Sequence, residues 1–381
     1  RTQTTGDFNR TVDAERVSAY LGFDAATGND SSLRVRAWHS GYDWASDMVP
    51  LKNGATTTTT LEQTVRQIEG RWTGRIAESH RVTAGLEYRS EKRTDGELAH
   101  EGNNFGSFIQ DELEIGRSAG FVVGARYDRH SDFGSAFSPK VGLWFRLNDH
   151  LRLRGSYGKG FRAPTLFELY TGSLYTKKKI VYANPDLDAE RSISSEIGAD
   201  VSFGNLTCSA TVFKNDMRDM IHEELVGYVK DGKNNIPAYE LQNISRAMTR
   251  GIELTASMKL PYGLTVSDEL TFLDSEDKSK GQDLLYVPDV TNTLKLAYGA
   301  ERSGFNGNIR VVSVGKQWVE NNVRADGYTL VNAYLAKKVS SDTSLFFGVD
   351  NIFNEDPAAY GNIGGAGSSG TCFYGGLTFT L

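Results

Sequence analysis

Apolar and polar residues alternate along most of this chain with a period of two. Phe121, Val123, Ala125 and Tyr127, for example, are separated by smaller or more polar residues. Because successive side chains of a strand point to opposite faces, this alternation predicts strands with one apolar face. Apolar residues at helical spacing are nowhere sustained, so the pattern predicts an all-β chain.

About seventeen such segments follow one another along the chain. Many of them are about ten residues long, which is the length that a tilted strand needs to cross a bilayer. Their centres lie near residues 18, 36, 69, 86, 109, 124, 142, 154, 196, 210, 251, 268, 293, 310, 331, 347 and 376.

The connections between these segments alternate between short and long. The predicted short connections are Thr27–Asp30, Glu78–His80, Gly116–Gly120, Asn148–His150, Gly204–Asn205, Pro261–Gly263, Ala300–Gly304 and Ser340–Asp342. The predicted long connections are Gly41–Thr58, Glu91–Asn104, Phe161–Asp188, Ile221–Leu241, Asp274–Tyr286, Trp318–Ala325 and Asn354–Gly370. Short periplasmic turns on one rim and long extracellular loops on the other are typical of outer-membrane barrels.

The pattern therefore predicts an antiparallel transmembrane β-barrel. A soluble sandwich or propeller also alternates, but its connections do not sort by length onto two rims. If the last strand runs toward the periplasm, the first of seventeen does so too, whereas an even-numbered barrel begins with an upward strand. We therefore expect at least one N-terminal strand to be missing, and about five if the intact barrel has 22 strands.

Charge and motifs exclude other classes of protein. The 42 basic and 48 acidic residues give a net charge of -6, without the basic stripe of a nucleic-acid binder. No secretory signal follows Arg1, so we expect the chain to begin downstream of one. Catalytic motifs such as the P-loop and H-E-x-x-H are absent from the sequence, so we expect no enzymatic activity and no cofactor.

Several short segments resemble TonB-dependent outer-membrane receptors. The segment Ser156–Tyr170, which reads SYGKGFRAPTLFELY, is similar to the FRAP segment of that family. Further similar segments, in the family's order, are Asn184–Leu187 with Glu190 and Ser195–Gly198, Asn243–Ser245 with Arg250–Glu253, Tyr286–Pro288, Tyr328–Asn332 and Val349–Asn354. Each segment alone is a weak signal, but their shared order is a strong one.

The resemblance implies a 22-stranded barrel in the outer membrane of a Gram-negative bacterium, with an N-terminal plug and a TonB-binding box. Neither the plug nor the box is present in this sequence, so we expect residues 1–381 to be the barrel domain, with the plug and first strands missing. The resemblance also implies active uptake of a scarce metal chelate. The implied partners are that chelate, outer-membrane lipid and lipopolysaccharide, and the TonB complex through a plug.

The longest connection, Phe161–Asp188, carries the clearest clue to a ligand. Three consecutive lysines lie among tyrosines there, and basic charge beside aromatic faces suits an anionic aromatic ligand such as a ferric catecholate siderophore. The alternative is a solvated loop whose lysines meet lipopolysaccharide phosphates. The candidate ligand-binding residues of rim and lumen are Phe161, Arg162, Tyr170, Tyr175, Lys177, Lys178, Lys179, Tyr182, Asn184, Arg152 and Arg154. Arg126 and Glu253 are further expected lumen residues.

Other ligands and functions stay open at this point. Related haem receptors have a histidine between the FRAP and NPxL segments, whereas this chain has none between Pro164 and Asn184. His100, His130 and His222 are expected on the extracellular side, where one could still ligate haem iron. Cobalamin, an unplugged passive pore, a non-transporting fragment and an enzyme in a barrel wall remain alternatives. The acidic run 274–283 matches no calcium loop, so we expect no metal site.

The two cysteines are expected to be free thiols. Cys208 is in phase with Leu206 and Ala210, which face lipid, whereas Cys372 is in phase with Tyr374, which faces the lumen. A disulfide requires Cα atoms within about 7 Å, so residues on opposite faces of the wall cannot pair.

Overall fold

The computed structural model describes residues 2–5, 8–28, 30–50, 54–96, 98–170, 174–175, 179–231, 234–300, 303–319, 323–356 and 370–379. Nearly all of these residues lie in strands. The exceptions include one short helix, α1 (Leu166–Tyr170), and a 3-10 turn at Pro261–Gly263. None of the helices in the described ranges has the length and apolar character needed to span a bilayer.

Seventeen of the strands are long, between 8 and 26 residues. They are β2 (Phe8–Gly28), β3 (Ser31–Pro50), β4 (Thr57–Ala77), β5 (His80–Asp95), β6 (Leu98–Ile115), β7 (Ala119–His130), β8 (Gly134–Arg146), β9 (Leu151–Arg162), β12 (Glu190–Phe203), β13 (Leu206–Asp231), β14 (Asn234–Lys259), β15 (Leu264–Asp277), β16 (Val290–Ala300), β17 (Phe305–Val314), β20 (Tyr328–Lys338), β21 (Thr343–Asp350) and β22 (Cys372–Phe379). The short strands are β1 (Thr2–Thr5), β10 (Leu174–Tyr175), β11 (Ile180–Tyr182), β18 (Gln317–Val319) and β19 (Val323–Ala325).

The seventeen long strands confirm the predicted fold class. Each contains one of the predicted centres, and each pairs antiparallel with the long strand that precedes or follows it. Together with β1, β10 and β11 they form one sheet of 20 strands, whereas β18 and β19 form a separate hairpin. The pairing of β11 with β14 is parallel. We call the edge with the short turns the turn rim and the opposite edge the loop rim.

The two faces of the sheet differ in polarity as the alternation predicts. On β9, Leu153 lies opposite Ala199, and both belong to an apolar outer face. The next residue, Arg154, points to the inner face, where it donates to the hydroxyl of Thr211 at 2.5 Å. Inner-face side chains are thus held by polar neighbours, as the lining of a barrel lumen requires.

Both cysteines are free thiols, and they lie on opposite faces as expected. Cys208 pairs with Val201 on one side and Ala256 on the other, within the apolar outer face. Cys372 pairs with Asp350, whose face also carries Tyr374.

Three of the predicted long loops are wrong, because the strands continue through them. The segments 41–58, 91–104 and 221–241 consist largely of paired strand, so that β3–β4, β5–β6 and β13–β14 are long hairpins. The ladder of β13 and β14 runs out to Asp231 opposite Asn234. A hairpin that stands in water needs no apolar face, so its period-two pattern disappears although its backbone ladder persists.

Candidate functional site

The connection after β9 begins with a helix that caps its own N-terminus. The backbone N–H of Glu168 donates to the Thr165 hydroxyl at 3.2 Å, and the Glu168 carboxylate accepts from the Thr165 backbone N–H at 2.7 Å. This reciprocal arrangement is a capping box, which satisfies helix N–H groups that have no partner within the helix. It explains why so short a segment as α1 is helical.

Arg162, the last residue of β9, joins this helix to β12. Its guanidinium donates two hydrogen bonds of 2.7 Å to the Glu190 carboxylate and two of 3.0–3.1 Å to Glu168. Glu190 also accepts from the backbone N–H of Ile221 on β13 at 2.9 Å. One guanidinium therefore connects β9, α1, β12 and β13 at the loop rim, and we call Arg162, Glu168 and Glu190 the rim clamp.

The surroundings of Arg162 and Glu168 favour the charged forms of both side chains. Hydrogen bonds to Glu190 and Glu168 raise the pKa of Arg162 further above its already high value. Burial alone would raise the pKa of Glu168, but hydrogen bonds from Arg162 and Thr165 outweigh it and leave that pKa below its usual value. With one cation between two carboxylates, the clamp offers no surplus positive charge to an anionic ligand.

An apolar layer lies beneath the same connection. Leu169 of α1 is 1% exposed, and Ile180 and Val181 of β11 are also buried. β11 adds in parallel to β14, where Ala238 lies opposite Ile180. Other buried apolar residues of this region are Leu166, Leu187, Ala189 and Ile236. The connection is therefore folded against the β13–β14 hairpin.

Tyr170, the last residue of α1, contacts the β5–β6 hairpin and the turn between β7 and β8. Its ring stacks on His100 of β6 with centroids 4.0 Å apart and planes 6° apart. Its hydroxyl donates to the Asp132 carboxylate at 3.0 Å. Burial and this hydrogen bond raise the pKa of the Tyr170 phenol, so the hydroxyl stays protonated at neutral pH.

A second aromatic group continues from Asp132. His130 stacks on Phe133 with ring centroids 4.4 Å apart, and Phe133 lies 5.8 Å from the ring of Phe161. Burial lowers the pKa of His130, although the Asp132 carboxylate opposes that shift. His100, Tyr170, Asp132, His130, Phe133 and Phe161 thus form one group, which we call the rim aromatic cluster.

Lys179 and Tyr182 lie in the second half of the connection, immediately before β11 and at its end. The Lys179 ammonium lies 2.5 Å from the Glu223 carboxylate and 5.9 Å from the centre of the Tyr239 ring. Tyr182 is 38% exposed at the end of β11. Asn184 donates to the backbone carbonyl of Leu241 at 2.9 Å, which ties the connection to β14.

Three candidates of this connection lie wholly or partly outside the described residues. Lys177 and Lys178 are outside them altogether, and Tyr175 is described only through its backbone in β10.

Arg152 and Arg154 lie far from the other candidates. They are eight to ten residues from Arg162 along β9, which at about 3.3 Å per residue is roughly 26–33 Å. Both contact Asp200, at 2.8 and 3.4 Å, near the turn rim. Arg126 lies on another part of the inner face and pairs with Asp128 and Glu87. One ligand cannot touch Arg152 and Arg162 together, although both could lie along one path through the lumen.

Sequence reasoning missed the rim aromatic cluster. His100, His130 and Tyr170 look scattered along the chain, because only the pairing of β6 with β7 and the packing of α1 bring them together.

Across the described ranges, no three His, Cys, Asp or Glu side chains converge as a metal site requires. Two carboxylates of the acidic run 274–283 contact different side chains. Asp274 forms an ion pair with Arg250, and Asp283 accepts a hydrogen bond from the Trp318 indole N–H.

Known proteins that are similar to this chain were found by family model and by sequence. A family model described as TonB dependent receptor-like, beta-barrel matches residues 1–352. The chain is 28% identical over 313 residues to the ferric enterobactin receptor of Pseudomonas aeruginosa, a match that covers 72% of this chain and 42% of that protein. It is also 28% identical over 278 residues to the ferrienterobactin receptor of Escherichia coli K12, which covers 66% and 36%. The chain thus spans less than half the length of these relatives.

Solved structures agree with the fold. A crystal structure of a double mutant of the Pseudomonas aeruginosa ferric enterobactin receptor superposes with a TM-score of 0.77 and 21% identity. That likeness covers 97% of this chain and 62% of the other. At this identity the likeness supports the barrel fold alone.

Proposed function

Because the chain belongs to the TonB-dependent receptor-like β-barrel family, we propose that it is the barrel of an outer-membrane importer for a ferric siderophore of the catecholate class. Residues 1–381 would form the barrel domain. The family is one of transport receptors rather than enzymes. Energy would come from the TonB complex through a plug inside the barrel.

One observation carries the choice of ligand. Two of the relatives are named ferric enterobactin and ferrienterobactin receptors, and their matches cover 72% and 66% of this chain. A histidine between the FRAP and NPxL segments, as in related haem receptors, is absent from this sequence. That absence agrees with the choice of a siderophore over haem.

The loop rim offers chemistry that suits an anionic aromatic chelate. Lys179 lies beside the ring of Tyr239 with its ammonium paired to Glu223, and the exposed Tyr182 follows it on β11. Aromatic faces can stack on catecholate rings, and ammonium groups attract their negative charge. We propose Tyr175, Lys177–Lys179 and Tyr182 as ligand contacts, with Arg162 and Asn184 holding the loop that carries them.

Ligand identity can be tested by direct binding to the full-length protein in outer-membrane vesicles. Ferric enterobactin, haem and cyanocobalamin would each be titrated, and retained iron or cobalt measured. We expect saturable binding of the ferric catecholate alone. Preferential binding of haem or cobalamin would contradict the proposed ligand while leaving the importer class intact.

A charge-matched pair of variants tests the proposed contacts. Replacing Lys177, Lys178 and Lys179 by Gln should slow association of the ferric catecholate and weaken its dependence on salt, because rim charges steer encounter. The control replaces three outward-facing lysines, Lys92, Lys159 and Lys214, by Gln. Equal effects of both triple variants would contradict a specific role for the loop.

Transport itself needs a separate measurement. Iron accumulation in cells that rely on this protein should require both the ferric catecholate and a functional TonB. Accumulation that continues without TonB would favour a passive pore instead.

A further inference from the structure

The outward face of β15 is apolar except at its centre. From the turn rim upward this face carries Leu264, Val266, Asp268, Leu270 and Phe272. The alternation that places Leu270 and Phe272 against lipid places the Asp268 carboxyl there as well. Because two apolar residues flank it on either side along the strand, Asp268 lies within the apolar belt and not at a rim. Ionisable side chains at such a depth normally face protein or water, and they mark functional sites.

The Asp268 carboxyl is only partly satisfied by its own chain. Among the described residues its one hydrogen-bond donor is the side-chain amide of Asn292 on β16, at 2.7 Å. Asn292 shares the outward face, since it pairs with Leu270 across the strands. No Lys, Arg or His of the described ranges forms an ion pair with Asp268, whereas Asp111 on the outward face of β6 lies 2.7 Å from His80.

The remaining hydrogen-bonding capacity of this pair is on the outer surface of the wall. Within the described part of the chain, the second carboxyl oxygen of Asp268 and the amide oxygen of Asn292 accept no hydrogen bond. Hydrocarbon cannot supply one, and a polar group left unsatisfied in hydrocarbon is costly. Polar side chains of another membrane-embedded protein can supply it, because such groups hydrogen-bond across interfaces inside membranes.

The wall differs in shape on the two sides of Asp268. On the β14 side Ala256 lies directly opposite Asp268, and on the β16 side Leu294 does. The outward face from β12 to β14 is an open groove, because its floor consists of small side chains. The small residues that line this groove are Ala199, Cys208, Ala210 and Ala256.

The outward face from β16 to β20 is a ridge of large apolar side chains. Leu294, Ile309 and Leu335 project from it and are 44%, 50% and 52% exposed. Groove and ridge thus lie side by side, with Asp268 and Asn292 between them. Small side chains allow a neighbouring protein to approach closely, so the groove can accept large side chains.

This arrangement is self-complementary under one symmetry operation. Copies of a protein inserted in one membrane share their orientation, so a two-fold axis between two of them runs along the membrane normal. An axis just outside β15 would place the ridge of each copy in the groove of the other, which is an isologous interface. Asp268 and Asn292 would then lie beside the axis. A carboxyl and an amide together offer donors and acceptors, so each pair could complete the hydrogen bonds of the other.

We propose that the protein forms a homodimer in the outer membrane through the outward face of β12–β20, with Asp268 and Asn292 at its centre. The partner of this face is a second copy of the same chain. The proposal uses only outward-facing residues, so it does not depend on which ligand the receptor binds.

Cross-linking of the full-length protein in outer-membrane vesicles tests the interface. With the native cysteines replaced by Ser, Leu270→Cys places a single thiol two residues from Asp268 and therefore close to the axis. A short bismaleimide should join two copies and give a band of twice the monomer mass. The matched control is Val123→Cys, since Val123 is 57% exposed on the outward face of β7, on a distant part of the wall. It should stay monomeric.

Substitutions at the centre separate the polar contact from chance encounters. D268L/N292L in the Leu270→Cys background should lose most of the cross-linked band, because leucines suit lipid and leave no hydrogen bond to complete. Asp268→Asn keeps a polar group there and should retain most of the band. Heat-dependent migration on gels shows whether each variant is folded.

Subunit counting gives a second measurement that does not need a thiol at the interface. Protein labelled at Cys372, in the Cys208→Ser background, should bleach in two steps per particle, and its D268L/N292L variant in one. The proposal is overturned by one-step bleaching of the parent, by equal cross-linking of Val123→Cys, or by a band that D268L/N292L leaves undiminished. A cross-linked band of another mass would show that a different protein covers this face, which also overturns it.

Discussion

Arg162 holds Glu190 through two parallel hydrogen bonds of 2.7 Å, although the two residues are 28 positions apart. Arg162→Ala would leave Glu168 and Glu190 without their shared cation. We expect local opening of the loop to become easier by about 1–2 kcal/mol, a modest value because the clamp is partly exposed. Hydrogen exchange of the amides of α1 measures this opening. Arg162→Lys keeps the charge but loses the paired N–H donors of the guanidinium, so its opening free energy should lie between those of the wild type and Arg162→Ala.

An introduced charge should destabilise the barrel more on the lipid-facing side of the wall than on the lumen side. Leu153→Arg and Ala84→Arg place a cation against lipid and should destabilise the barrel by roughly 2–4 kcal/mol if they lie near the middle of the bilayer. Ser156→Arg points into the lumen and should cost much less. Urea unfolding in lipid vesicles gives the three values, and similar values at all three positions would contradict the assigned faces.

The two thiols should differ in their reactivity. Cys372 lies on the lumen face and is exposed, so a charged maleimide should label it in folded protein. Cys208 lies on the apolar outer face and should react only with a membrane-permeant reagent. Cys208→Ser and Cys372→Ser assign each label, and a mass lower by two hydrogens under non-reducing conditions would show a disulfide instead.

Acid should loosen the rim aromatic cluster through His130. Burial places the pKa of His130 below the ordinary value of 6.5, so the opened state binds a proton more readily than the folded one. The stability of the β7–β8 turn should therefore be complete above about pH 6.5 and decline as the pH falls below it. Hydrogen exchange at residues 131–134 measures this, and His130→Gln should remove the pH dependence. An increase in protection on acidification would have the wrong sign.

Tyr170 connects α1 to the neighbouring hairpins through its contacts in the rim aromatic cluster. Tyr170→Phe removes the hydrogen bond to Asp132 but keeps the stacking on His100. The loss should cost about 1 kcal/mol of local stability, since one hydrogen bond to a charged acceptor is removed from a partly exposed site. Tyr170→Ala should cost more, and exchange of the 98–106 amides distinguishes the two variants. Equal exchange in both would indicate that stacking contributes nothing.

The wall of this barrel could be predicted from the sequence because alternation is a local property. A residue such as Leu153 faces lipid and Arg154 faces the lumen solely because successive side chains of a strand alternate. Strand number, the two faces, the turn rim and the separation of the two thiols all follow from that period. The family's short segments are local signals as well.

The structure of the loop rim depends on tertiary contacts that the sequence pattern does not predict. Whether Glu91 begins a loop or continues β5 depends on its partner Gly102 across the hairpin, because no apolar face is needed in water. The contacts of Arg162 with Glu190 and of His100 with Tyr170 join residues 28 and 70 positions apart. Such contacts depend on which hairpins stand side by side, and the period of a single strand contains no information about its neighbours.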